Sequence, residues 1–260
     1  MRESYLEDAY RACLIASKEI LAIYQTDFTF ENKEDASPVT IADKKADMMI
    51  RQYLKERYPT FGFLTEESSD DFSRLHQPYV WLVDPIDGTK DFIAKNDEFT
   101  INIALVHRQQ VVLGLVHIPA KNETYYAIKG EGAFYRFQQQ DVRIHVNDKL
   151  NNLTVLTSRF HLQKQEEDVI KKYQQLGKIM KVETFGSALK ACRIAHGFAE
   201  ISYRLSPGTK EWDTAASDLI VTEAGGFFIK PNKEKYWYNR QDVRNIEGYL
   251  ILNRLENFLL

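Results

Sequence analysis

The sequence predicts a layered α/β protein, on two observations. An N-terminal half sets two amphipathic helices before a run of short apolar strands, and a C-terminal half alternates strand and helix more regularly. Its 260 residues, 44% apolar and 27% charged, suffice for one large domain or two packed half-domains with a continuous core, and disorder is not expected.

The opening stretch "MRESYLEDAYRACLIASKEILAIY" repeats Leu6, Ala9, Cys13, Ala16, Ile20 and Ile23 at helical spacing. Arg2, Glu3, Glu7, Asp8, Arg11 and Lys18 break any long apolar run, so the helix is amphipathic and neither a secretory signal nor a membrane span. A polar stretch, "FENKEDASP", follows. From Asp43 to Tyr58 a second helix carries Ala46, Met49, Ile50, Tyr53 and Leu54 on one face, and Pro59 stops it. Strands are predicted at "YVWLV", "FTINIALV", "VVLGLVHI" and "TYYAI"; the short polar turns between them suggest an antiparallel meander. In the second half the expected order is strand "NLTVLTS", helix "KQEEDVIKKYQQL", a short strand near Val182, a helix from Ser187 to His196, and strand "AEISYRL". A last helix over "EWDTAASDLIVTEAGG" is closed by Gly225 and Gly226.

A net charge of -3, from 34 basic and 37 acidic side chains, gives no general attraction for nucleic acid or anionic lipid, so any anion must be held locally. Cys13 and Cys192 lack the spacing of a thiolate metal site or redox pair, which fits a reducing, cytoplasmic compartment. The six histidines show no ligand spacing and are read as surface or structural. There is no Walker loop, dinucleotide glycine pattern or Ser-His-Asp signal.

The chemistry is concentrated in "WLVDPIDGTKDF". Asp84 and Asp87 follow an apolar strand and stand three apart, whereas a nucleophile-and-acid aspartate pair of one familiar phosphatase type stands two apart. Pro85 disfavours a helical Asp84 and Gly88 permits a tight turn, so the two carboxylates can converge. Convergent carboxylates repel unless a cation lies between them, and oxygen donors suit Mg2+. Glu66 and Glu67 in "LTEESS", Asp213 in "EWDTAA" and Thr40 and Asp43 in "PVTIAD" add to the set. Each alone has a plainer explanation, as a solvated pair or as helix-initiating residues.

Taken jointly, "PVTIAD", "LTEESS", "WLVDPIDGT" and "EWDTAA" resemble, in content and order, the lithium-sensitive, magnesium-dependent phosphatase superfamily that includes inositol monophosphatase and fructose-1,6-bisphosphatase. The one departure is Thr65, where that superfamily usually has glycine. The resemblance implies a layered αβαβα sandwich forming a single catalytic domain: a metal- and phosphate-binding half over about residues 1–145, and a half over about 146–260 that supplies substrate contacts and Asp213. It also implies two Mg2+ ions. Glu66, Asp84 and the Ile86 carbonyl would hold one; Asp84, Asp87 and Asp213 would hold the other, with room for a weaker third near Glu66. Asp43 with the Thr89 hydroxyl would position an attacking water, Glu67 would orient that water or support the metal ligands, and the N–H groups of Gly88 and Thr89 would meet phosphate oxygens.

The stretches "KDFIAKNDEFTINIAL" and "TFGSALKACRIAHGFAEISYR" are similar to the CysQ-type 3'(2'),5'-bisphosphate nucleotidases. This implies a small nucleotide bisphosphate as substrate, inhibition by Li+, and a second-phosphate site built from Lys90, Gly186, Ser187, Lys190 and Arg204. A role in sulfur assimilation or nucleotide salvage, and a homodimer, are further expectations of the resemblance. The alternatives are an inositol monophosphatase-like sugar-phosphate phosphatase and a catalytically inactive metal-binding or regulatory protein on the same scaffold.

Overall fold

The computed structural model describes residues 2–32 and 38–259, so residues 33–37 of the polar stretch "FENKEDASP" lie outside the described residues. Helices α1 (Arg2–Tyr24) and α2 (Ile41–Arg57) lie side by side. Ala9, Ala12 and Ala16 of α1 and Ala42 and Ala46 of α2 are fully buried, and small side chains of this kind let two helix backbones approach closely. A two-stranded antiparallel ribbon, β1 (Phe30–Asn32) and β2 (Pro38–Thr40), leads into α2, whose N-cap is Thr40.

Beneath the helix pair lies a seven-stranded sheet. Its strands, in spatial order, are β3 (Gly62–Thr65), β4 (Tyr79–Asp87), β5 (Thr100–His107), β6 (Gln110–Ile118), β7 (Glu123–Ile128), β8 (Gly132–Phe137) and β9 (Gln140–Ile144). β3 runs parallel to β4 and every later pairing is antiparallel. The expected meander is therefore present and two strands longer. β9 escapes a hydropathy reading because it forms the outer edge with all but Ile144 exposed, and β8 beside it buries only Gly132 and Ala133, so neither shows an apolar alternation. The short helix α3 (Thr89–Ile93) fills the β4–β5 connection.

The second sheet is built from β10 (Leu153–Ser158), β11 (Ile179–Phe185), β12 (Ile201–Arg204), β13 (Phe227–Ile229) and β14 (Tyr249–Leu252), in the order β11-β10-β12-β14-β13. β10 is parallel to β11 and β12, and β14 is antiparallel to β12 and β13. Helices α4 (Lys164–Gln175), α5 (Leu189–Ala195) and α6 (Glu211–Glu223) complete this half. All three helices expected here form within a few residues of their expected bounds, whereas β13 and β14 add two strands to the expected pattern.

Three apolar clusters define five layers. Residues of α1 and α2 pack with Trp81, Val83, Ile101 and Ile103 on one face of the large sheet. Val80, Leu82, Ala104 and Val116 on its other face pack with α5 and α6, which also meet Leu156 and Ile251 of the second sheet. Ile170 and Tyr173 of α4 cover the far face of the second sheet against Val155, Ile201 and Leu250. Alternation along β4 and β5 feeds both neighbouring layers, so these strands read as continuous apolar runs. Each large apolar side chain so buried contributes about 1.5–3 kcal/mol. The architecture is the expected αβαβα sandwich.

Candidate active site

The spacing of Asp84 and Asp87 is resolved by a β-bulge. Asp84 faces Asn102 and Asp87 faces Thr100, so the β4 segment from Asp84 to Asp87 carries one more residue than its partner in β5. Without the extra residue, positions three apart would point to opposite faces of the sheet; the bulge returns both carboxylates to one face. Pro85, which has no N–H to give to the sheet ladder, sits within the irregularity. Gly88, at φ 89°, then turns the chain in a left-handed conformation into α3.

The third carboxylate comes from the middle layer. Asp213 lies in the first turn of α6, and its Oδ2 accepts from the Lys210 amide at 2.6 Å. Carboxylate oxygens of Asp84, Asp87 and Asp213 all lie within 4.8 Å of one another. Asp84 is buried, with the Ile86 amide donating to its Oδ1 at 3.1 Å; Asp87 and Asp213 are partly buried. Glu66 begins the turn after β3, its amide donating to the Val83 carbonyl, and it lines the same cavity. It stands outside the tight triplet, but its charge is felt by all three aspartates and by Asp43.

Packing like charges this closely costs free energy, and the acidities show it. Burial first, then Glu66, Asp87 and Asp213, hold Asp84 well above the ordinary carboxylate range. Burial pushes Asp87 up to about 6 against the pull of Lys190. It takes Asp213 to about 7, with Asp87 and Glu66 adding to the shift. An all-oxygen donor set under this much mutual repulsion fits a hard divalent cation.

A second network backs the triplet. Asp43 is buried at the N-terminus of α2, where its Oδ2 accepts from the Thr40 amide at 2.8 Å and the Thr40 hydroxyl at 2.6 Å. Its Oδ1 accepts from the Thr89 hydroxyl at 3.2 Å, and the same hydroxyl lies 3.4 Å from the Ile86 carbonyl. Burial raises the Asp43 pKa, with Thr40 pulling the other way. Asp43 thus caps α2 with one carboxylate oxygen while the other accepts from Thr89. Glu67 is partly buried and is not among the cavity-lining residues. Thr65 simply ends β3 in register with Val83, so the departure from glycine is accommodated in extended backbone.

The cavity above the carboxylates has a volume of about 730 Å³. Thr89, Lys90, Ser187, Lys190 and Arg204 line it with the acidic residues. Lys190 points its ammonium at the Ser187 carbonyl, 2.8 Å away, and the charges of Asp87 and Asp91 oppose the lowering of its pKa by burial. Arg204 donates from Nη1 to the His161 carbonyl at 2.8 Å.

Gly186 is buried outside the cavity lining, and its amide donates to Glu98 at 2.8 Å. A side chain there would come within 2.4 Å of the Asp91 carboxyl, so only glycine fits this position. His161, at the surface as expected, also lines the cavity, where desolvation and then Arg204, Lys90 and Lys190 lower its pKa. Sequence reasoning also missed Asn102, which donates to Asp87 at 3.2 Å and accepts from Thr100 at 3.0 Å. The available signal was two polar residues on one face of the apolar strand "FTINIALV".

Fold and cluster together define a layered α/β protein with an oxygen-donor site fit for a metal ion. The chain belongs to the Inositol monophosphatase family, which it matches over residues 1–253. It is 37% identical over 223 residues to the 3'(2'),5'-bisphosphate nucleotidase CysQ of Salmonella typhimurium, covering 85% of this chain and 88% of that one. Among solved structures it is similar to CysQ of Bacteroides thetaiotaomicron, with TM-score 0.83, 33% identity, and coverage of 96% of this chain and 98% of the other. It also resembles an IMPase of Thermotoga maritima, with TM-score 0.81, 25% identity and coverage of 96% and 92%.

Proposed function

We propose that the protein is a Mg2+-dependent 3'(2'),5'-bisphosphate nucleotidase that hydrolyses adenosine 3',5'-bisphosphate to AMP and phosphate. The observation that carries this reading is the convergence of Asp84, Asp87 and Asp213 in a cavity that Lys90, Lys190 and Arg204 also line. The likeness to nucleotidases named CysQ favours the nucleotide over a sugar phosphate.

Glu66, Asp84, the Ile86 carbonyl, Asp87 and Asp213 would hold two Mg2+ ions, with Asp84 shared and a third, weaker position near Glu66. Bound there, the ions supply charge neutralisation for the phosphoryl oxygens and the departing alkoxide, and lower the pKa of water. The chain's own groups do the rest. Thr89, donating to Asp43, keeps its oxygen lone pairs free to accept from an incoming water and so orients it toward phosphorus. Asp43, with its raised pKa, is the base to which that proton chain leads. Glu67 supports the site from outside the cavity. Amides at Gly88 and Thr89 meet the phosphate, the turn supplying them through its geometry since α3 has only five residues. Lys90, Ser187, Lys190 and Arg204 receive the second phosphate, where charge-assisted hydrogen bonds are strongest.

We read the chain as one catalytic domain, its two halves joined by the α5–α6 layer. No described helix is long and apolar enough to cross a membrane, and we place the enzyme in the cytoplasm, consistent with two buried free cysteines. The test is phosphate release from adenosine 3',5'-bisphosphate, myo-inositol 1-phosphate and fructose 1,6-bisphosphate, each with Mg2+ and with or without Li+. A Mg2+-dependent, Li+-sensitive preference for the nucleotide is expected. Preference for inositol phosphate would discard the substrate, and no activity on any of the three would discard the enzyme.

A further inference from the structure

We propose that Arg159 is a positioning residue: it latches the loop after β10 to the β4–β5 connection and thereby holds the nucleotide end of the cavity in shape. This rests on the nucleotidase reading above. Ser158, Phe160, His161 and Gln163 line the cavity, whereas Arg159 is outside the lining and directs its guanidinium to the other half of the molecule. Its Nη2 lies 2.7 Å from Glu98 Oε2 and its Nε 3.4 Å from Asp91 Oδ1.

Those two carboxylates are themselves fixed. Glu98 Oε2 accepts from the Gly186 amide at 2.8 Å, and the Glu98 carbonyl accepts from the Ser187 hydroxyl at 2.7 Å. Asp91 Oδ1 accepts from Asn96 at 2.6 Å. The Asp91 side chain is 5% exposed and that of Glu98 14%. Arg159 therefore offsets the repulsion between two shielded carboxylates.

An exposed ion pair alone would contribute little. Here one guanidinium ties together three segments that meet only in the folded chain: the β4–β5 connection, the loop after β10 and the turn before α5. The loop it holds presents the His161 carbonyl to Arg204, so the latch extends to the expected second-phosphate contact. Freed of Arg159, the loop carrying Phe160 and His161 loses this anchor to the β4–β5 connection, and Arg204 loses a fixed acceptor. Asp84, Asp87 and Asp213 are held by other contacts and stay in place.

The experiment compares steady-state kinetics of the Mg2+-loaded full chain and its variants Arg159→Ala, Arg159→Lys and Glu98→Gln on adenosine 3',5'-bisphosphate and on p-nitrophenyl phosphate. The second substrate is a small ester that reaches the carboxylate floor without needing the nucleotide wall. Arg159→Ala is expected to raise KM for the bisphosphate about tenfold with kcat within about twofold, while kcat/KM for p-nitrophenyl phosphate changes by less than about twofold. Glu98→Gln should follow the same split and Arg159→Lys should recover part of the loss. Equal losses on both substrates, or no change on either, would overturn the latch. Should Arg159→Ala fail to fold, the same split in the other two variants decides. A wild-type enzyme with no preference for the bisphosphate would overturn the nucleotidase reading and the latch with it. A wild-type preference that every variant retains overturns the latch alone.

Discussion

Asp84 is the most constrained side chain of the site: buried, at the bulge, and within 4.8 Å of both partner aspartates. Asparagine has nearly the same shape, so Asp84→Asn removes a charge and little else. It should lower Mg2+-dependent turnover by about a thousandfold or more. It should also leave the metal-free protein at least as heat-stable as wild type, because one of three repelling charges is gone. A ligand that binds only the folded state raises the melting temperature, so Mg2+ should stabilise wild type and have lost most of that effect on the variant. Melting curves with Mg2+ and with a chelator check both statements. Appreciable activity in Asp84→Asn would remove it from the metal-binding set.

At the scale of elements, the site depends on how closely α6 lies on the large sheet. Gly114 of β6 makes that approach possible: a Cβ there would fall 2.6 Å from the Ala216 carbonyl, a backbone atom of α6 that cannot move alone. Gly114→Ala is therefore expected to destabilise the fold by about 1–3 kcal/mol, measured by urea denaturation. It should also raise the Mg2+ concentration needed for half-maximal activity, since Asp213 travels with α6. A variant with normal stability and normal Mg2+ demand would show that the helix position is not what sets the site. Glu66, Asp84, Asp87 and Asp213 were legible because each stands in a short motif whose order along the chain is informative. Gly114, Asn102, Arg159 and His161 were not, because their roles come from elements brought together across the sheet or between the two halves. The bulge in β4 explains the three-residue aspartate spacing, but it is a property of two strands in register, and one strand's sequence does not display it. β9 was missed for a related reason, since an edge strand shows water too many side chains to carry an apolar pattern, and β8 beside it is only partly buried.

For the molecule as a whole, the proposed metal site implies that protons and Mg2+ compete for one acidic centre, and this competition is expected to shape how stability depends on pH. Asp87 and Asp213 rise from the ordinary 3.8 to about 6 and about 7 in the folded protein. Their folded pKa values exceed the unfolded ones, so without metal the folded state holds protons that the unfolded chain has released. Their stabilising contribution is then complete below pH about 3.8 and is lost as pH rises toward about 7. Bound Mg2+ favours the ionised carboxylates and reverses the trend at the site. The gap in melting temperature between Mg2+-loaded and chelator-treated protein should thus widen steadily from about pH 5 to about pH 8. His117 titrates with the opposite sign: buried and hydrogen-bonded to Thr124, it is held neutral at a pKa of about 4, so its contribution is lost as pH falls below 6.5. It lies away from the carboxylates and acts equally in both samples, so it bends each curve and cancels in their difference. A gap that stays constant across this range, or shrinks toward alkaline pH, would mean that the ion stabilises the fold from somewhere other than the Asp84, Asp87 and Asp213 triplet.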